Sequence, residues 1–352
     1  MKTRYAVLAA ALLLSLPATL ASAQATGTPA APTPQIDTAP PSAPAAAADP
    51  LPPANPKFFT AASPTVDTVN AFLRQVWGYD TNRLYRVMAI QKTSAPGVIK
   101  VVVFVLPKGG DPNKVQAATF YITPDGKHAI GEGAGVVPFG PTPFAETRDM
   151  LKARADGASR GAAGKDLELV EFADLQCPHC KEAQSTMDQI VKDFPKAHIV
   201  FQLFPLVDIH PSAFKAAAYG VCAQKQSNEA FFKYADGVFE TQEALAPTSE
   251  DTLLKAAAMR AGLDGAAIAA CSETQATKDI VNADIKLAED AGVDQTPLLS
   301  VNGRLLPLTG VSYEGLKKMI QYQATLDGVD SGATAETLAP KPPQPTLQTL
   351  PK

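Results

Sequence analysis

Four cysteines occur in the 352 residues, at positions 177, 180, 222 and 271. The first two stand in Cys177-Pro178-His179-Cys180, directly after the apolar run 167–172 and at the opening of the helical pattern 180–194. Two thiols at this spacing, on a strand-to-helix junction, suit reversible disulfide chemistry. Unpaired N–H groups and the positive dipole end of a helix start favour an anion, here the Cys177 thiolate. Pro178 fits the first turn because no N–H is wasted there, and His179 can place a hydrogen bond or a positive charge beside the sulfur. Each unit by which a thiol pKa falls favours the thiolate by about 1.4 kcal/mol. Stabilising the reduced form in this way makes the disulfide more oxidising. The same spacing also begins many zinc sites, which need four ligands, usually from a second paired motif. Cys222 and Cys271 form no such pair in sequence, and His128, His198 and His210 are scattered.

The elements that must hold this motif alternate between strand and helix. A strand is expected over 167–172, a helix over 180–194 and a second strand over 198–206. A long Ala-rich helical region spans 211–291. A hairpin turning at Asn302-Gly303 and a closing helix over 313–324 complete the order. Strand, helix, strand, helices, hairpin, helix is the order of an α/β thioredoxin-like fold with a helical insertion, placed here at 161–327. Before it, 57–140 reads as a small α+β domain. Ser63-Pro64 starts its helix, strands follow over 84–91, 98–106 and 115–123, and the turn Pro124-Asp125-Gly126-Lys127 leads into a short fourth strand. A helix from Thr142-Pro143 to about 155 makes 141–160 the link between the two.

Proline is in excess, at 31 residues, and the excess lies in the extensions 24–56 and 328–352. Both are too poor in apolar side chains to bury a core; the first reads as a spacer and the second as a Pro-rich disordered tail. Residues 1–23 read as an export signal: Lys2 and Arg4, an apolar run over 5–14, then Ala21-Ser22-Ala23 for cleavage. An uncleaved anchor is the other reading, against which the run is short for a span. The net charge of −4 and the lack of any Lys/Arg cluster speak against a nucleic-acid partner.

The segment Leu169-Val170-Glu171-Phe172-Ala173-Asp174-Leu175-Gln176-Cys177-Pro178-His179-Cys180 closely resembles the active-site segment of DsbA-like thiol-disulfide oxidoreductases. The resemblance continues through 206–222, Gln295-Thr296-Pro297 and Val301-Asn302-Gly303. It implies that Pro297 is cis and faces the sulfurs, with the Thr296 backbone left to hold an extended substrate segment. It also implies that Glu171 lies beneath the cysteines, where a buried carboxylate with raised pKa takes the proton of Cys180; on the residues alone Glu171 reads equally as a strand-end side chain in solvent. His210 matches a recurrent family position, with a structural capping job expected. Cysteines at similar insertion positions imply a structural Cys222–Cys271 disulfide, the other reading being two buried free thiols. The run Phe120-Tyr121-Ile122-Thr123-Pro124-Asp125-Gly126-Lys127-His128-Ala129-Ile130 resembles the hairpin of the dimerisation domain in DsbC/DsbG-type isomerases, which implies self-association through 57–140.

The expected function is that of an exported, periplasmic protein thiol-disulfide oxidoreductase acting on cysteines of other exported proteins. It needs no cofactor beyond the redox-active Cys177–Cys180 disulfide and no metal, and a membrane redox partner resets it. The alternatives are a disulfide isomerase or reductase, and a non-enzymatic metal-binding or holdase chaperone.

Overall fold

The computed structural model describes residues 49–131 and 135–333. The export signal at 1–23, most of the spacer and most of the tail lie outside the described residues. Among those described, no helix is long and apolar enough to cross a membrane. The chain forms two compact units, one from residues up to 64 together with 84–137, the other from 65–83 together with 138 onward.

The first unit is a five-stranded sheet of β1 (Arg83–Lys92), β2 (Ile99–Pro107), β3 (Gln116–Ile122), β4 (His128–Gly131) and β5 (Gly135–Pro138), hydrogen-bonded in chain order, with β2–β3 and β3–β4 antiparallel. Period-two alternation sorts its faces. Val101 and Val103 are buried and lie opposite Phe120 and Ala118, whereas Tyr121 and Ile130, paired across β3 and β4, are exposed. Gly126 turns the β3–β4 hairpin at φ +69°, with the Asp125 carboxylate accepting from the Lys127 N–H at 2.9 Å.

The expected first helix exists as α1 (Val66–Trp77), but two details differ. Its N-cap is Thr65, whose hydroxyl accepts from the Thr68 N–H at 3.1 Å, so the helix starts after Ser63-Pro64 rather than at it. It also belongs with the second unit and not with the small sheet. The guanidinium of Arg304, itself buried, donates to the carbonyls of Gln75 (2.8 Å) and Val76 (2.9 Å) and lies over the Tyr79 ring. These are carbonyls that the last turn of a helix leaves unpaired.

The second unit holds a five-stranded sheet in the order β10 (Arg304–Pro307), β9 (Leu298–Val301), β7 (Glu168–Ala173), β8 (His198–Leu203), β6 (Ala158–Gly161). β7 and β8 are parallel and the other pairs antiparallel. β7 is central and buried along its whole length, its two glutamates Glu168 and Glu171 included. α3 (Pro178–Asp193) and α9 (Tyr313–Leu326) pack Met187, Ile190, Leu316 and Ile320 into one core with Leu169 and Ile199. The link region is α2 (Ala145–Arg154) followed by β6, a strand the apolar pattern does not announce. The β9–β10 turn is Asn302-Gly303, with φ +46° and +87°. A Cβ on Gly303 would sit 2.4 Å from the Phe144 carbonyl oxygen, so only glycine fits.

The insertion is five helices: α4 (Ala213–Gln224), α5 (Asn228–Thr241), α6 (Glu250–Arg260), α7 (Gly265–Ser272) and α8 (Gln275–Asp290). The helical region expected over 211–291 is interrupted between α6 and α7. Gly262 takes φ +82° after α6, and the Asp264 carboxylate caps α7 through the N–H groups of Ala266 and Ala267. Cys222 of α4 and Cys271 of α7 are joined as a disulfide, their Cα atoms 6.1 Å apart. This is the thioredoxin-like fold with a helical insertion, preceded by a smaller sheet unit.

Candidate active site

β7 ends at Ala173 and delivers Asp174, Leu175 and Gln176 into a turn closed by the Cys177 N–H donating to the Asp174 carbonyl at 3.1 Å. Cys177 occupies the N-cap of α3, with extended backbone and no side-chain capping bond, and Pro178 is the first helical residue. Its sulfur stands at the position where a side-chain oxygen usually caps a helix. Cys177 and Cys180 are free thiols, both buried.

The two thiols have opposite acidities. Hydrogen bonding from Cys180 first, then the Thr296 side chain and the backbone N–H groups of Cys180 and His179, bring the Cys177 pKa down to about 5 against the opposing effect of burial. Burial first, together with the adjoining Cys177 sulfur, holds Cys180 well above the ordinary thiol range. Cys177 Sγ also lies 3.8 Å from the Thr296 carbonyl oxygen, and the Thr296–Pro297 peptide bond is cis. Cys180 Sγ accepts from the Asp174 N–H at 3.4 Å. The motif, Thr296 and Pro297 are thus brought together from chain positions more than a hundred residues apart.

His179 is placed differently from its expected task. Its imidazole is exposed and pairs with the Glu182 carboxylate at 3.1 Å, which raises its own pKa. What it supplies to the Cys177 thiolate is chiefly its backbone N–H. His210 does not cap a helix with its ring. Its Nδ1 lies 2.6 Å from the Asp174 carboxylate, which is buried and also accepts from the N–H groups of Gln176 (2.7 Å) and Leu206 (2.9 Å).

Glu171 is 1 % exposed, so the strand-end reading in solvent does not hold. Desolvation pushes its pKa up to about 7, against a hydrogen bond from Gln184. Gln184 Nε2 donates to Glu171 Oε1 at 2.8 Å and to the Cys180 carbonyl at 3.0 Å, tying the carboxyl to the helix that carries the cysteines.

Sequence reasoning passed over Gln184, Asp174, Gln176 and Gln242. Gln242 Nε2 donates to the carbonyls of Leu175 and Cys177, each at 3.2 Å, and Gln176 bridges the Leu245 carbonyl and the Ser212 N–H. For Gln184 a signal existed, since a residue four after Cys180 lies on the same helix face. The others bond across loops, which spacing does not reveal. Beside the cysteines an open recess of about 670 Å³ is lined by Gln176, Pro178, Lys181, Glu182, His210 and Gln242, among others. Among the described residues no group of three or more His, Cys, Asp or Glu is placed to hold a metal ion.

Residues 156–322 match the protein-family model described as Thioredoxin. The Na(+)/H(+) antiporter NhaA 3 of Salinispora tropica is 30% identical over 145 residues, 41% of this chain and 21% of the antiporter. The chain thus spans about a fifth of the length of that curated relative. A thioredoxin-like oxidoreductase from Silicibacter pomeroyi is similar over 51% of this chain and 98% of its own, at 21% identity and a TM-score of 0.44. Oxidised BdbD from Bacillus subtilis is similar over 50% of this chain and 95% of its own, at 21% identity and a TM-score of 0.42.

Proposed function

We propose that this chain, which carries a thioredoxin-family domain across residues 156–322, is an exported protein thiol-disulfide oxidoreductase that forms or exchanges disulfides in other exported proteins. The observation that carries this reading is the pair of thiols of opposite acidity at one helix start, Cys177 at about 5 and Cys180 well above the ordinary range. In the oxidising direction a substrate thiolate attacks Cys177 Sγ of the Cys177–Cys180 disulfide. The sulfur–sulfur bond breaks, and Cys180 leaves as a thiolate that takes its proton from Glu171. A second substrate thiolate then attacks the substrate sulfur of the mixed disulfide, and Cys177 leaves as a stabilised thiolate. The substrate has lost two electrons and the enzyme holds them as a dithiol. In this reading the Thr296–Pro297 backbone lines up the substrate segment, and a membrane redox partner takes the two electrons away.

The test is a trap. Cys180→Ser accumulates mixed disulfides with exported proteins, and Cys177→Ser accumulates none; equal trapping by both overturns the roles given to the two sulfurs. An isomerase reading is favoured by the same stable Cys177 thiolate, which in the reduced enzyme is ready to attack a wrong disulfide. The reduction potential of the pair, with oxidation and isomerisation assayed side by side, sets the direction. Self-association through the small sheet unit belongs to that reading.

A further inference from the structure

The face of the sheet that carries Glu171 carries a second charged group. In register, Leu169, Ile199 and Arg160 lie across β7, β8 and β6, and Glu171, Phe201 and Ala158 form the next rung, two residues along each strand and on the same face. Arg160 thus looks out from the sheet on the same side as Glu171, one strand beyond β8. On α3, Cys180, Gln184 and Asp188 recur every four residues and form one stripe. Gln184 of that stripe already bonds Glu171, and Asp188 bonds Arg160 Nη1 at 2.9 Å.

Arg160 is held over the Phe232 ring at 4.8 Å, and its buried Nε and Nη2 have no protein partner. Buried guanidinium donors are satisfied by water or an anion when protein supplies nothing. The groups acting on Glu171 are Arg160 and Asp188, besides Gln184, while its strand neighbours Phe201 and Leu299 are apolar. Asp236 of α5 is a further carboxylate within electrostatic reach of Arg160 and Asp188. Asp188 is 60% exposed, so the α3 stripe that starts at Cys180 and carries Gln184 beside Glu171 reaches solvent about 12 Å further along, at 1.5 Å per residue.

We propose that Arg160 and Asp188 are positioning residues that connect buried Glu171 to solvent and set when it takes up the proton of Cys180. The inference rests on the thiol-disulfide reading above. When Cys180 attacks the Cys177–substrate disulfide, its S–H proton passes to the Glu171 carboxylate. The new bond is Cys180–Cys177, and the substrate leaves as a thiolate. The proton on Glu171 then passes to water at the Arg160–Asp188 end, away from the recess beside the cysteines.

The experiment is a carboxyl ¹³C NMR titration of the full chain labelled at glutamate, with Glu171→Gln identifying the signal. Arg160→Met raises the Glu171 midpoint by about one pH unit, Asp188→Asn lowers it, and Arg160→Lys restores it toward the original value. The pH profile for release of a mixed disulfide by Cys180 moves with the midpoint in each variant. A midpoint unmoved in both Arg160→Met and Asp188→Asn overturns the proposal, as does a midpoint that moves while the release profile stays put. Asp188 is exposed, so its variant reports even if loss of Arg160 impairs folding. An original protein that releases no mixed disulfide at any pH fails the functional reading instead, and the NMR midpoints still report on the coupling.

Discussion

Replacing Glu171 by Gln keeps the shape of the side chain and an oxygen for Gln184 to bond, and removes only the charge. The carboxyl is 1 % exposed, so little solvent screening enters the energetics. Its pKa stands at about 7 in the fold against an ordinary 4.5, a difference that costs the ionised folded state about 3 kcal/mol. Between those two values the folded chain keeps the proton while the unfolded chain has lost it. Stability therefore falls as pH rises from about 4.5 to 7 and stays level above. The Gln variant escapes that loss. Relative to the original protein it gains about 3 kcal/mol at about pH 8.5 and close to nothing from this source at about pH 4. Urea unfolding of both proteins at a series of pH values, with the active-site pair kept reduced, measures the gap directly. The same variant lacks the proton acceptor, so release of a trapped mixed disulfide by Cys180 slows by a factor of about a hundred or more at neutral pH. A stability gap that does not change with pH would show that Glu171 is not a desolvated carboxyl and would remove it from the site.

Thiolate absorbance gives a Cys177 midpoint near 5, and Cys180→Ala raises it more than His179→Ala does, because the Cys180 hydrogen bond is the largest contribution and the His179 ring faces Glu182; the reverse order refutes that ranking. Replacing Cys222 and Cys271 together by Ala lowers unfolding stability by about 4 kcal/mol, the chain-entropy value for a sequence separation of 49; a loss under about 0.5 kcal/mol in denaturant unfolding speaks against the staple. Light scattering of the chain from residue 24 onward at tens of micromolar reports a dimer if the small sheet unit self-associates, and a monomer removes the isomerase analogy.

What was legible in the sequence was what local chemistry determines. Cys177-Pro178-His179-Cys180 suits the opening of a helix, where Pro178 needs no N–H, and Asn302-Gly303 between two apolar runs suits a turn. The resemblance supplied Glu171, Thr296 and Pro297; the Thr296 carbonyl lies beside Cys177 Sγ, the Thr296–Pro297 bond is cis, and Gln184 links Glu171 to the Cys180 carbonyl. The rest depends on partners far along the chain. Ala158-Ser159-Arg160-Gly161 has no apolar pattern and becomes β6 only because β8 offers a free edge. Gly262 reads as tolerable inside a helix until its positive φ breaks one. The ring of His179 turns to Glu182, a choice between two nearby acceptors that residue type cannot make. α1 looked like part of the small domain because it precedes those strands.

That last helix affects how the molecule is made. Arg304 reaches the Gln75 and Val76 carbonyls across sequence separations of 229 and 228 residues. During synthesis α1 emerges first, the strands of the small sheet follow, and nearly the whole chain must appear before its end can be closed. The second unit is thus completed by a segment near the start of the chain, with the other unit's strands encoded in between. A gene fragment beginning after the small sheet encodes an unfinished second unit whose Arg304 has lost both carbonyls. A fragment that retains residues 65–83 has to rejoin them to residue 138 across the excised sheet.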